Sequence, residues 1–323
     1  MAKYGPASAI FLVDGYDMLA NKIQTLRHKV TALQTKSDGL GDEWEEHSPI
    51  GVSMAEVVQE GAFFDTNTLR SHAALKDLPS SPEATTRVVC VGFSGQTKGL
   101  AFEGFEGVYQ QDYEVLATRG ELQKVNATYK VTGKRERGVI LQELAAKTAD
   151  WDTESTPVDY TSDTNQHAIP ITSSSVANPT VITTPEPHGL TSTQKVLIAG
   201  HSGSTPDING EYVATVVTTT TFTIPENVTV GGTGGTVVQS NSIAGGYGFQ
   251  HVTALTDFTG FIGTIRDSAD DIAYADLVAF ANVTAAPAAE RKYVAGTCDR
   301  YLSFKGDVTG TGSITVFCGF CRS

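Results

Sequence analysis

The sequence predicts a mainly β (α+β) chain in which one antiparallel unit with a single helix is written twice. A small all-β domain is inserted into the second copy. Three observations carry this reading. Apolar and polar residues alternate over long runs, as half-buried strands require. A Thr/Ser/Val/Gly-rich stretch from about Ile169 to Val238 interrupts a chain of otherwise mixed charge, and from Thr148 to Ile265 the only Lys or Arg is Lys195. Short marks recur on both sides of that stretch.

The elements follow in order. Leu26 to Leu33 alternates as a strand. Met54 to Phe64 is a strand with a bend near Glu60-Gly61, because glycine adopts positive φ without a Cβ penalty. Thr66 to Leu78 has a candidate N-cap, and Leu69, Ala73 and Leu75 lie near one face, so it reads as a helix that Pro79 stops. Thr86 to Phe93, Leu100 to Leu116 and Gln123 to Val131 alternate as strands. In the inserted stretch the strands are Val181 to Thr184, Lys195 to Ala199, Glu211 to Val217, Thr221 to Ile224 and Thr236 to Val238. Turns at Pro185–Gly189, Ile208-Asn-Gly210 and Gly231–Gly235 separate them. Asp276-Leu-Val-Ala-Phe280 is expected to be the helix of the second copy.

The repeat rests on paired marks. Asp42-Glu-Trp44-Glu-Glu-His-Ser-Pro49 resembles Asp150-Trp151-Asp-Thr-Glu-Ser-Thr-Pro157, and these hold the only two tryptophans. Leu100-Ala-Phe-Glu-Gly104 matches Leu302-Ser-Phe-Lys-Gly306, each after an apolar strand ending in glycine, Val88 to Gly92 and Tyr293 to Gly296. The expected organisation is residues 1–122 as the first unit, 123–167 with 243–323 as the second, and 168–242 as the inserted domain.

Composition excludes several functions. The 323 residues suffice for a sizeable core. Net charge is −13, so the chain lacks the basic surface that grips nucleic-acid phosphates. No apolar run approaches the ~20 residues of a membrane span. The stretch Ala7 to Val13 before Asp14 is too short and too acidic for a signal peptide. Cys90, Cys298, Cys318 and Cys321 are too few for a disulfide framework and are read as reduced thiols. Cys318-Gly-Phe-Cys321 is a CxxC without a second ligand pair, so packed thiols are expected rather than a metal or redox site.

No phosphate loop, HExxH or nucleophile elbow occurs. Gly200-His-Ser-Gly203 misses the elbow spacing, and Gly231-Gly-Thr-Gly-Gly235 lacks the Lys-Ser/Thr of a phosphate loop. His188, in Pro-His-Gly-Leu, is expected to make a structural hydrogen bond. Asp38, Asp42, Glu43, Glu45 and Glu46 form an acidic cluster. It reads as a solvated loop or a surface facing DNA or a neighbour, ahead of a glycosidase pair or a calcium loop. The expectation is no enzyme, no cofactor and no metal.

Two resemblances add to this. Pro187-His-Gly-Leu190, Val196-x-Ile-x-Gly200, Ile208-Asn-Gly-x-Tyr212 and Thr221-Phe-Thr-Ile224 look like the small β-domain of the first-catalytic-cysteine half-domain type, which recurs as an insertion in virion proteins. The resemblance implies a β-module without ubiquitin chemistry, since the pattern holds no cysteine. Phe11-Leu-Val-Asp-Gly-Tyr-Asp17, Leu40 to Gly51 and Gln59-Glu-Gly-Ala-Phe-Phe-Asp65 resemble the major tail tube protein of long-tailed bacteriophages. That resemblance implies β-sandwich units that close into six-unit rings, rings that stack, and a tube that conducts the genome.

With two units per chain, three copies complete a pseudo-sixfold ring; with one, six copies do. The implied partners are other copies, a tape-measure protein, and viral DNA that passes without specific binding. The inserted domain would point outward, in reach of host surfaces. The implied location is the virion tail, assembled in the host bacterial cytoplasm. The loop Lys36 to Pro49 and its counterpart Lys147 to Pro157 are the expected inter-ring arms. Their contact candidates are Asp42, Glu43, Trp44, Glu45, Glu46 and His47, then Asp150, Trp151, Asp152 and Glu154. Each tryptophan is read either as an anchor in a neighbour or as core. The competing reading is a tail-tip or baseplate subunit, or an adhesin that binds host glycans through the inserted domain.

Overall fold

The computed structural model describes residues 9–21, 23–30, 32–36, 47–52, 56–65, 71–76, 86–133, 135–160, 168–240 and 245–322. The first part holds β1 (Ile10–Val13), β2 (Tyr16–Asp17), a 3-10 turn (Met18–Asn21), β3 (Thr25–Lys29), β4 (Ala32–Lys36), β5 (His47–Val52), β6 (Glu56–Phe63) and α1 (Ser71–Leu75). There follow β7 (Arg87–Gly92), β8 (Ala101–Leu116), β9 (Lys124–Val131), β10 (Arg135–Lys147), β11 (Trp151–Asp152) and β12 (Val158–Asp159). The middle contributes β13 (Ile169–Pro170), β14 (Ser173–Ser174), β15 (Thr180–Thr183), β16 (Lys195–Ala199), β17 (Gly210–Val213), β18 (Thr215–Val216), β19 (Thr221–Ile224) and β20 (Thr236–Gln239). The last part is β21 (Gly246–Ser268), β22 (Ala275–Ala279), β23 (Ala288–Val294) and β24 (Tyr301–Arg322). The fold is mainly β and antiparallel.

One 14-stranded sheet joins both parts of the host, with the order β2-β1-β7-β8-β10-β24-β21-β22 and branches at β9, β23, β11 and β12. Its centre curls towards a barrel, whose ends share no strand pair among the described residues. The β1–β2 turn reaches the far side, where the Gly15 N–H donates to His251 Nδ1 at 3.1 Å. A Cβ at Gly15 would lie 2.5 Å from the Ala288 backbone, so only glycine lets the turn approach this closely. Inside pack Ile10, Leu12, Cys90, Phe102, Ile140, Phe249, Phe317 and Cys321. The Phe102 ring meets Phe249 at 5.8 Å and Phe317 at 5.6 Å, both edge to face. A Cβ at Gly104 would lie 2.3 Å from Phe249, and one at Gly319 would lie 2.3 Å from Phe102. The rings therefore fill slots that glycines leave, and the barrel is a packed core.

Two sandwiches grow from this barrel. In the first, β3, β6, β9 and the end of β8 cover β1 and β7 over a core that includes Phe11, Val57, Val91, Phe105 and Tyr129. Strand β8 crosses between layers by bending near Gly107, at φ +58°, with a register shift between Gln110 and Asp112. In the second, β21 and β24 do the same over a core that includes Leu141, Phe261, Ile265 and Phe304. Their register shifts lie between Val252 and Gly260.

The structure corrects one element. Asp276 to Phe280 is not a helix: Ala275–Ala279 is a strand paired with β21. Val278 and Phe280 are both buried in the second core, a spacing of two that a strand satisfies and a helix does not. In the other expected helix, α1 covers Ser71–Leu75, and residues 66–70 and 77–78 lie outside the described residues. The boundary expected after residue 122 falls between β8 and β9, which pair with each other and share the first core.

The repeated Leu-x-Phe-x-Gly marks do the same steric work. Phe102 and Phe304 are buried; Gly104 lies under the Phe249 ring and Gly306 under the Trp151 ring. Their pairing differs, since β7 pairs with β8 whereas β23 and β24 flank β21 on opposite sides.

The middle stretch folds as two four-stranded sheets, β13-β20-β16-β17 and β14-β15-β19-β18, around Ile182, Val196, Ile198, Phe222, Ile224 and Val237. Its first and last strands pair, Ile169 opposite Val237.

Two predictions follow from the barrel. Phe249→Ala should cost about 3–5 kcal/mol, since it empties a slot bounded by backbone, and urea unfolding measures it. His251 is fully buried, and burial pushes its pKa from 6.5 down to about 3. Below pH 6.5 the unfolded chain takes a proton that the folded chain refuses. Stability should thus fall by about 3 kcal/mol from this group between pH 7 and pH 4. His251→Gln should shrink the stability difference between those two pH values by that amount.

Candidate functional site

The predicted contact residues divide sharply. Asp42, Glu43, Trp44, Glu45 and Glu46 lie outside the described residues. His47 opens β5, opposite Lys36 of β4, in a two-stranded hairpin. The first expected arm is therefore flanked by a paired stem.

The second expected arm lies along β24. Trp151 pairs with Gly306 and Asp152 with Lys305. The Trp151 ring stacks on Phe261 at 5.7 Å and 3°, and its Nε1–H donates to Gln142 Oε1 at 2.9 Å. Lys147 Nζ lies 5.7 Å over the same ring. Asp150 Oδ1 accepts the Val308 N–H at 2.7 Å, and Asp152 Oδ1 accepts the Glu154 N–H at 2.9 Å. Glu154 forms an ion pair with Arg266, which also meets Asp276 at 3.0 Å. All four candidates of this stretch are engaged by their own chain, and the half-buried Trp151 packs on its own core.

A second charged cluster fixes β3. His28 Nδ1 sits 2.9 Å from Glu103 Oε2, and its ring meets Phe105 edge-on at 5.4 Å. Arg135 and Arg137 lie 3.5 and 3.4 Å from Glu103. Burial alone would raise the Glu103 carboxyl, but the His28 hydrogen bond and the two arginines bring it below its ordinary value. Glu103 is thus an anion that holds β3, β8 and β10 together.

The inserted module is joined to the host by charge. Lys195 Nζ lies 3.7 Å from Glu211 of the module and 3.6 Å from Asp299 of the host. Arg300 grips Asp159 with two hydrogen bonds, 3.0 and 2.7 Å, and lies 3.9 Å from Glu211. Arg322 donates to the Ser240 carbonyl at 3.4 Å and stacks over Tyr160 at 4.2 Å. The lone basic residue of the middle region thus stands at the seam.

The module histidines are structural. His188 Nδ1 accepts the Leu190 N–H at 3.1 Å, which leaves Nε2–H to donate to the Thr218 carbonyl at 3.0 Å. His201, missed in the sequence, has Nδ1 at 2.7 Å from the Gly234 carbonyl and Nε2 at 3.0 Å from Ser174 Oγ. Ser174 is buried and its Oγ also accepts the Gly232 N–H, so this Ser-His pair ties loops together. The four thiols are buried as well. Burial raises them all, Cys298 to about 12 and the other three well above the ordinary range. Among the described residues no group of three or more His, Cys, Asp or Glu is placed to hold a metal, and no helix is long and apolar enough to cross a membrane.

Comparison with known proteins gives little. No family model matches the chain. No curated protein matches it. Among solved structures it is similar to the Dit protein (gp 19.1) of SPP1, described as a paradigm of the hub adsorption apparatus in phages that infect Gram-positive bacteria. The two share 9% identity over 96% of this chain and 98% of the other, with a TM-score of 0.27. A likeness at that score carries no argument about fold or function.

Trp151→Ala should lower folding stability by about 3 kcal/mol, as loss of a partly buried aromatic does. Chemical denaturation at a dilution that prevents association measures it.

Proposed function

We propose that the chain is a self-assembling structural subunit of a bacteriophage tail, whose copies close into rings that stack into a tube for genome delivery. One observation carries this reading. A single sheet runs through both sandwiches, while the module folds on separate sheets around its own core. Such a chain suits a wall with an appendage. The barrel within each copy is filled by Phe102, Phe249 and Phe317, so a conduit has to form between copies. The net charge of −13 suits a lumen that DNA crosses without sticking. With two sandwiches per chain, a ring of three copies offers six, and six copies remain the alternative. The tape-measure protein and DNA are the expected lumen contents, the virion tail the expected location, and the module faces outward.

A second reading is favoured by the module alone. Its far loops are pinned by His201 and leave Val176 and Val230 66% and 51% exposed. A tail-tip subunit or an adhesin would use such a tip against host glycans.

Electron microscopy of the concentrated protein separates the two. Stacked rings support the tube; single rings or dispersed particles that bind a glycan array support the second reading. Excising residues 169–239 should leave ring formation intact and remove the outer knobs. Loss of rings from a folded variant would make the module part of the wall.

A further inference from the structure

The module and the host share no sheet. Among the described residues they share no apolar core either: the module packs around Ile182, Val196, Ile198 and Phe222, and the host cores contain host side chains alone. Polar groups cross between them. Lys195 of β16 reaches Asp299 at 3.6 Å, and Arg300 lies 3.9 Å from Glu211 of β17. Arg322 donates to the Ser240 carbonyl at 3.4 Å.

Both cations of the two ion pairs have a second partner on their own side. Lys195 faces Glu211 within the module at 3.7 Å. Arg300 holds Asp159 within the host through two hydrogen bonds. Parting module from host therefore strands neither cation, since Lys195 keeps Glu211 and Arg300 keeps Asp159. The side chains of Lys195, Glu211, Asp299 and Arg300 are 18–31% exposed, so water and salt ions reach the crossing pairs. Opening them uncovers neither core. The chain ends also suit a pivot. On the module side Ile169 stands opposite Val237, and on the host side the Arg322 N–H donates to Tyr160 Oη while Arg322 stands opposite Gly246. The module is thus tethered at one place, with its crossing ion pairs beside the tether.

We infer that this seam is a salt-sensitive latch. With Lys195–Asp299 and Arg300–Glu211 closed, the module holds one orientation; with both open, it pivots about its paired ends without unfolding. Solvent-reached ion pairs are individually weak, so the closed and open states lie close in free energy and a change of charge or salt shifts their populations. A permanent joint gains more from apolar burial, as the Phe102, Phe249 and Phe317 cluster shows in the host. The latch belongs to the single chain and depends on neither reading of its assembly.

Single-molecule energy transfer in full-length protein tests this, at a dilution that prevents association. Dyes go on Val230→Cys, on the far loops of the module, and Thr311→Cys in the host; both positions are exposed and the native thiols are buried. At low salt one dominant efficiency is expected. At 1 M salt the screening length falls to about 3 Å, and a second population should grow. Asp299→Lys should raise the open-to-closed ratio about tenfold at low salt, and adding Lys195→Glu should lower it again. Thermal unfolding of the same samples shows that the module remains folded. One unchanged efficiency in every sample would overturn the latch and make the seam rigid. A broad distribution in the unsubstituted seam at low salt would overturn it by showing a free tether. A salt response that Asp299→Lys does not reproduce would overturn the assignment to this pair. Should Asp299→Lys fail to fold, the salt titration of the unsubstituted seam decides alone.

Discussion

The interlock of Phe102, Phe249 and Phe317 with Gly104 and Gly319 is the constraint on which the rest of the host depends. Phe102 comes from the first part of the chain, and the other two rings come from β21 and β24. Each ring occupies space that a side chain at a facing glycine would take. Such packing has no slack, because the facing surface is backbone and cannot rotate away. It welds the two sandwiches at one register. Both then inherit their orientation from the barrel, and β8, β21 and β24 carry that orientation outward by bending across layers.

This weld separates internal from external pairing. In the curled centre the sheet ends approach each other, linked by the Gly15 N–H to His251 hydrogen bond. Further out, the first sandwich keeps a sheet whose ends do not meet. Unpaired edges are a hazard that folded proteins suppress or use. The ion cluster of Glu103 with His28, Arg135 and Arg137, half-buried apart from the exposed Arg137, ties β3 to β8 and β10.

Much of this was legible in the chain. Strands such as β9, β16 and β19 alternate cleanly, because one face is core and the other is solvent or a second layer. The bend at Gly61 was readable for the same local reason, its φ of +75°. Asp276 to Phe280 misled because a five-residue apolar run fits either period, and only its partner strand decides. The Leu-x-Phe-x-Gly marks were correctly noticed, but their shared job is steric and their strand pairing differs. The candidates Asp150 to Glu154 show the limit most clearly. Nothing local says whether an acidic Trp-bearing segment reaches out or lies down. The answer depends on Gly306, Phe261 and Arg266, all far along the chain.

The module shows how a fold takes an insertion at low cost. Its first and last strands are neighbours, with Ile169 opposite Val237, so the host sees two chain ends close together. On the host side the flanking residues converge on Arg322. Its N–H donates to Tyr160 Oη at 3.2 Å, and it stands opposite Gly246 in the β21–β24 ladder. Closing that short gap costs little chain entropy with or without the module. The host therefore does not need the module to complete any sheet. What the seam needs is orientation, and Lys195, Glu211, Asp299 and Arg300 supply it. The module's one basic residue, Lys195, stands where it meets the wall, and its outer surface is rich in Thr and Ser. That placement specifies the attachment through charge, while the module's own fold rests on its separate apolar core.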